Sequence, residues 1–260
     1  MARIVLTHVE PRGSRIEAGL REAGHEALLL SFSRLVAIRS AAEELARLDL
    51  SSFHRIVVAS PSTARFAARA RPGPWPDARL AAVGPGTGEA LVEAGLAARP
   101  EDVETPAGDR HDADALLELA SLAEGEGRRV LVLAGDAGRR DWAATLARRG
   151  FDVVRLELYR RESIEPGEDA WEALAQWSRQ GPGPVFVVTT VDAAERLLAG
   201  LAARGLDDWG RARVAVCPHE RIAAQLAAAG WRDARAPGAG RRLLDAAIES
   251  GLAAPGDREP

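Results

Sequence analysis

Residues 130–158 read VLVLAGDAGRRDWAATLARRGFDVVRLEL, and the order of signals in that run decides the fold. Val130–Leu133 is an apolar run of strand length. Gly135–Arg139 is a loop of small and charged residues. Asp141–Arg149 carries apolar residues at helical spacing, Gly150 stops it, and Val153–Leu158 is the next strand. Apolar runs of four to six residues alternating with helical periods and glycine stops are the signature of βα units.

The same order recurs along the chain. Ile4–Leu6 leads through a loop into a helical stretch from Ser14 to Ala23, then Gly24, then a strand at Ala27–Leu30. Arg55–Ala59 passes through Ser60-Pro61-Ser62-Thr63 into a helix. Its counterpart is Val185–Val188 followed by Thr189-Thr190-Val191-Asp192. Leu80–Val83 passes through Gly84-Pro85-Gly86-Thr87 into a helix ending at Gly95. Its counterpart is Val214–Val216, then Cys217-Pro218-His219-Glu220, into a helix ending at Gly230. Each half closes on a polar stretch and a helix, Asp112–Leu122 and Arg241–Ser250. Matched units in matched order predict an α/β fold with doubly wound parallel sheets. Taken alone, this pattern cuts the chain into tandem halves near residue 126. Loops are expected at Arg71–Asp77 and Gly181–Pro184, and a disordered tail over 253–260.

Composition narrows the chemistry. With 260 residues, a chain can bury roughly 70–75% of its unfolded surface, so a core needs no disulfides. Cys217 is the only cysteine, which excludes an intramolecular disulfide and argues against structural zinc. The net charge of −4 argues against general nucleic-acid binding. No basic n-region precedes a long apolar run, and no run approaches the length of a membrane span, so a cytoplasmic protein with no membrane contact is expected. All 34 basic residues are arginine. The absence of lysine removes Schiff-base and P-loop chemistry.

Ligands in open α/β sheets bind at the carboxyl ends of the strands. Small and hydroxyl residues there cap helices and leave backbone N–H groups facing an anion. Ser60, Pro61, Ser62, Gly84, Thr87, Thr189 and Thr190 all fall in such loops. Any one of these loops reads equally well as a simple helix cap. The set from both halves points instead to a ligand carrying several carboxylates or phosphates. Gly84-Pro85-Gly86 lacks the third glycine of a dinucleotide fingerprint, and Gly135-Asp136-Ala137-Gly138 also fails it. His8, His25, His54, His111 and His219 lack metal-ligand spacing, so no metal site is expected. His219 stands out because it falls in a strand-to-helix loop, where it is either a substrate contact or a solvated cap. No Gly-x-Ser-x-Gly elbow exists, and Cys217 has no evident partner, so covalent catalysis has no candidate. Tyr159 is the only tyrosine. It ends an apolar strand before Arg160-Arg161, where a phenol either packs at a border or serves a leaving oxygen.

Val5-Leu6-Thr7, Ile56 through Ser62, Ala82 through Thr87 with Gly95, Val130–Leu133 with Gly135-Asp136 and Gly138-Arg139, Val154 through Tyr159-Arg160-Arg161, and Val187 through Thr190 stand in one order over almost the whole chain. Together they resemble the uroporphyrinogen-III synthase family, in a proteobacterial-type branch. The family often has arginine after the first-strand threonine, where this chain has His8, and it often has threonines where this chain reads Pro218-His219-Glu220. The resemblance implies two flavodoxin-like lobes, each a parallel sheet flanked by helices, joined by a two-stranded connector. Lobe one would hold 1–36 plus 163–260 and lobe two 40–158, with connectors near Phe32–Ile38 and Glu157–Glu162. This arrangement is preferred to the tandem cut.

The resemblance also implies a reaction. Hydroxymethylbilane would lose the ring-A hydroxyl as water, ring D would attack through its substituted carbon to give a spiro intermediate, and reclosure would invert ring D. No metal or organic cofactor is implied. Tyr159 would be the catalytic group. Thr7, His8, Gly135, Asp136 and His219 would join the hydroxyl and glycine loops as substrate-binding residues. Partners would be the substrate alone, with room for transient contact with the preceding or following pathway enzyme. Two other classes fit the same loops: a non-enzymatic two-lobed anion sensor, and a glycosyltransferase, for which His219-Glu220 is the only hint.

Overall fold

The computed structural model describes residues 1–75, 79–108, 110, 112–136 and 141–253. His111, Gly138, Arg139, the end of the 71–77 loop and the tail from 254 lie outside the described residues. In chain order the elements are β1 (Arg3–Leu6), α1 (Arg12–Glu22), β2 (Glu26–Leu29), β3 (Ser33–Ala37), α2 (Arg39–Arg47), β4 (Arg55–Val58), α3 (Pro61–Ala70), β5 (Leu80–Ala82), α4 (Pro85–Glu93), α5 (Ala113–Leu117), β6 (Arg129–Gly135), α6 (Asp141–Arg148) and β7 (Asp152–Ser163). They continue with α7 (Glu168–Arg179), β8 (Val185–Val187), α8 (Val191–Ala202), α9 (Asp207–Arg211), β9 (Val214–Val216), α10 (Glu220–Ala228), β10 (Asp233–Arg235) and α11 (Arg241–Ala253).

The chain forms two units, Met1–Leu35 with Glu162–Pro260, and Val36–Arg161. Residue 126, where the repeat pattern alone suggests a cut, falls inside the second unit. The strands form two five-stranded sheets.

The first sheet has the order β10-β9-β8-β1-β2 and is parallel throughout. Side chains alternate across a strand, and here both sets are apolar because helices cover both faces. Val5, Phe186 and Ala215 point into a cluster with Trp171 and Leu174 of α7, Leu197 and Leu201 of α8, and Ile222 and Leu226 of α10. Ile4, Leu6, Val185, Val187 and Val216 point the other way, onto Leu20 of α1 and Leu243 and Ala247 of α11. Burying each large aliphatic side chain contributes about 1.5–3 kcal/mol.

The second sheet has the order β3-β7-β6-β4-β5, and β7, β6, β4 and β5 run parallel. Val57, Ala81, Val130 and Val132 share one cluster with Leu116, Trp142, Leu146 and Phe151. Ile56, Val58, Leu131 and Leu133, one residue out of phase, are fully buried as well.

One expected helix is broken. Asp112–Leu122 reads as continuous, but α5 ends at Leu117, Leu119 is extended, and a single 3-10 turn covers Ala120–Leu122. Long-range contacts override the local pattern. Leu122 is fully buried, Ser121 Oγ donates to Glu104 at 2.6 Å, and Arg149 donates to the freed carbonyls of Leu117 and Leu122 at 2.6 and 2.8 Å.

Candidate functional site

In the second unit, four adjacent strands carry expected site residues, at the carboxyl ends of β6, β4 and β5 and, on β7, where its pairing with β6 ends. From β7 to β5 these are Tyr159, then Gly135-Asp136, then Ser60-Pro61-Ser62, then Gly84 and Thr87. Tyr159 is aimed by a bulge. The register pairs Ala134 with Glu157 but Gly135 with Tyr159, so Leu158 is an extra residue on β7. A bulge bends its strand and redirects the next side chain. The backbone is tied down past the bulge by Ile38 N–H donating to Leu158 at 3.0 Å and Asp136 N–H to Tyr159 at 2.9 Å.

The half-buried Tyr159 ring is confined. It stacks on Phe66 of α3 with centroids 4.9 Å apart and planes at 24°. A β-carbon built on Gly135 would lie 2.5 Å from the ring carbons Cε2 and Cζ, so only glycine lets the ring sit there. The phenol oxygen lies 3.3 Å from Ser60 Oγ. Ser60 is the N-cap of α3: its Oγ accepts the Thr63 N–H at 3.1 Å and lies 2.9 Å from Thr63 Oγ1. Pro61 takes the first helical position, where a missing N–H costs nothing. Asp136 has a structural task, since its Oδ1 accepts the Arg161 N–H at 3.3 Å. Gly84 caps α4 with no side-chain bond, and the buried Thr87 donates its N–H to Gly84 O at 3.0 Å. Thr63 and Phe66 escaped the sequence reading. Thr63 stands three residues after a serine cap, which flags a local bond, but nothing local flags Phe66.

In the first unit, Thr7 and Thr189 end the neighbouring strands β1 and β8 and lock to each other. Thr189 N–H donates to Thr7 Oγ1 at 3.1 Å, and Thr189 Oγ1 donates to Thr7 O at 3.1 Å. Thr7 Oγ1 also reaches Val187 O at 3.2 Å, and Thr7 is only 3% exposed. Its hydroxyl therefore sets loop shape. Thr190 caps α8 by accepting the Ala193 N–H at 3.1 Å. His219 is exposed at the start of α10 with no side-chain capping bond. Burial, with Glu220 adding to it, pushes the Cys217 thiol up to about 12, so it stays protonated. Among the described residues no cluster of His, Cys, Asp and Glu could hold a metal, and no helix is long and apolar enough to cross a membrane.

His8 is 7% exposed, and its Nδ1 has no hydrogen-bond partner. Burial, and then the Arg12 guanidinium, push its pKa from the ordinary 6.5 down to about 4. A histidine whose folded value is lowered must bury a charge if it is protonated in the native state. Its contribution is therefore fully present above pH 6.5 and is lost as pH falls through 6.5 towards 4. The loss is roughly 3 kcal/mol at 1.36 kcal/mol per unit. Thermal melts at pH 7 and 4.5 should show a larger drop in the native protein than in His8→Gln. Equal drops would mean that His8 is not held neutral by burial.

Related chains identify the family and share the fold. The family model described as uroporphyrinogen-III synthase HemD matches residues 14–239. A uroporphyrinogen-III synthase from Salmonella typhimurium is 31% identical over 237 residues, 88% of this chain and 92% of that one. A uroporphyrinogen-III synthetase from Helicobacter pylori shares the fold with a TM-score of 0.54 at 15% identity, over 96% of this chain and 99% of that one. A mutant uroporphyrinogen III synthase from Thermus thermophilus does so with a TM-score of 0.52 at 18% identity, over 96% and 98%.

Proposed function

The chain belongs to the uroporphyrinogen-III synthase family, and we propose on that footing that it closes hydroxymethylbilane to uroporphyrinogen III with Tyr159 serving the departing oxygen. The observation that carries the assignment of Tyr159 is its phenol, held beside the bulge in β7 by Gly135, Phe66 and Ser60. In the first step the ring-A carbon–oxygen bond breaks. The oxygen leaves with the electron pair, takes the phenol proton and departs as water. The pyrrole nitrogen supplies electrons for the azafulvene double bond, and its proton returns through solvent to the phenolate. Ring D then attacks through its substituted carbon, and the spiro intermediate opens and recloses inverted. The pyrroles supply most of the driving force, so the enzyme's task is orientation.

Helix starts support the binding of acetate and propionate groups. The first N–H groups of a helix lack internal partners and favour anions. α4 and α10 begin without a side-chain cap, at Gly84 and His219, although in α4 Pro85 has no N–H and the Thr87 N–H is already given to Gly84 O. α3 and α8 are capped by Ser60 and Thr190. The alternative of a non-enzymatic anion sensor gains no support from the relatives.

Incubating the protein with freshly made hydroxymethylbilane should divert product from isomer I, which forms spontaneously, to isomer III. A ratio of isomers unchanged by the protein would remove the enzymatic assignment.

A further inference from the structure

We propose that Thr63 is a positioning residue that sets the direction of a three-hydroxyl chain, Thr63–Ser60–Tyr159, so that the Tyr159 phenol is left as a hydrogen-bond donor. The proposal rests on Tyr159 serving the departing oxygen. Thr63 itself is fully buried, so it touches no substrate.

The direction follows from counting lone pairs. A serine hydroxyl offers one hydrogen and accepts two. Ser60 Oγ accepts one bond from the Thr63 backbone N–H, at 3.1 Å, and a backbone N–H can only donate. Thr63 Oγ1 lies 2.9 Å from the same oxygen. Among the described residues, Ser60 Oγ is the only partner of the Thr63 hydroxyl. A buried hydroxyl hydrogen without an acceptor is costly, so the Thr63 hydroxyl donates to Ser60. Both acceptor positions of Ser60 are then filled. Its own hydrogen goes to the remaining neighbour, the Tyr159 phenol oxygen at 3.3 Å. That oxygen accepts, and its hydrogen is unclaimed by any described residue.

The arrangement matters for the chemistry. A leaving hydroxyl gains negative charge, so it needs a donor. A phenol whose hydrogen was already given to Ser60 would present only lone pairs. A donor fixed before the substrate arrives costs no reorganisation at the moment of reaction. The bond from Ser60 also supports the phenol oxygen as it releases its proton.

Thr63→Val keeps the shape and the backbone N–H but removes the hydroxyl. The turnover number should fall about tenfold, the size of one oriented hydrogen bond, with the Michaelis constant little changed. Thr63→Ser should recover most of that loss. In a Tyr159→Phe background, Thr63→Val should cost nothing further. Because Tyr159 is the only tyrosine, tyrosine labelled at Cζ gives one carbon resonance, which should move in Thr63→Val and return in Thr63→Ser. Should Thr63→Val fail to fold, Ser60→Gly breaks the same chain at a position where glycine is a tolerated cap, and it should show the same fall in turnover. A slow Tyr159→Phe beside a Thr63→Val that keeps native turnover and an unmoved resonance overturns this proposal alone. Fully additive losses do so too, since Thr63 would then act through something other than the phenol. A Tyr159→Phe with native turnover overturns both this proposal and the assignment of Tyr159.

Discussion

Tyr159→Phe should lower the turnover number by about 10²–10⁴-fold, the usual worth of a positioned general acid, and leave the Michaelis constant nearly unchanged. The interaction strengthens only as the ring-A oxygen gains charge, so it stabilises the transition state over the bound substrate. The variant keeps the ring, its stacking on Phe66 and its fit over Gly135. What it loses in the folded state is a single part-exposed contact to Ser60 at 3.3 Å. That is about 1 kcal/mol at most, or a few degrees in melting temperature for a chain of this size. Steady-state kinetics with isomer-resolved product, alongside a thermal melt, decide the matter. A stable variant retaining more than about half of the native rate would make Tyr159 a packing residue and leave catalysis to orientation and backbone donors.

Gly135→Ala should be nearly as damaging without removing any reactive group. The added β-carbon would stand 2.5 Å from two ring carbons of Tyr159 and 2.8 Å from its oxygen. The ring must shift by about an ångström, and a misplacement of that size can cost about 10²-fold. Phe66, stacked on the ring, must follow it or part from it. Forcing a methyl into a filled space also costs roughly 1–3 kcal/mol of stability, so the melt should drop further than in Tyr159→Phe. Rates well below native at a temperature where the variant is fully folded are the expected result. Native turnover in Gly135→Ala would show that the position of the ring is immaterial.

In both units the elements and loops could be read from residues alone, and the contacts between strand ends could not. The βα periodicity was plain, because each central strand is an uninterrupted apolar run flanked by glycine stops, as in Val130–Leu133 and Val185–Val188. The loops were legible for the same reason: a strand end followed by Ser60-Pro61 or Thr189-Thr190 is a local signal. Sheet order is not a local signal. Ser60 and Tyr159 meet only because β6 lies between β4 and β7 and because Leu158 bulges. Thr7 and Thr189 meet only because β8 adds beside β1. Burial escaped as well. Nothing in the residues around His8 signals that it is nearly enclosed, with an unpartnered Nδ1. The failed helix at Leu119 has the same origin, since Arg149, distant in sequence, claims the Leu117 carbonyl that a continuing helix would have used, and Glu104 holds the Ser121 side chain.

The discontinuity of the first unit has a consequence for synthesis. β1 forms with its first few residues, and β2 can pair with it at once. Its other edge belongs to β8, with Ile4 opposite Val185, and residues 36–161 must be made before that partner exists. At roughly 5–20 residues per second on the ribosome, the wait is on the order of ten seconds. In that interval Ile4-Val5-Leu6 has an open, apolar strand edge, the kind that recruits wrong partners. The inserted unit is contiguous, so it can finish folding first, while the unit holding both chain ends completes last.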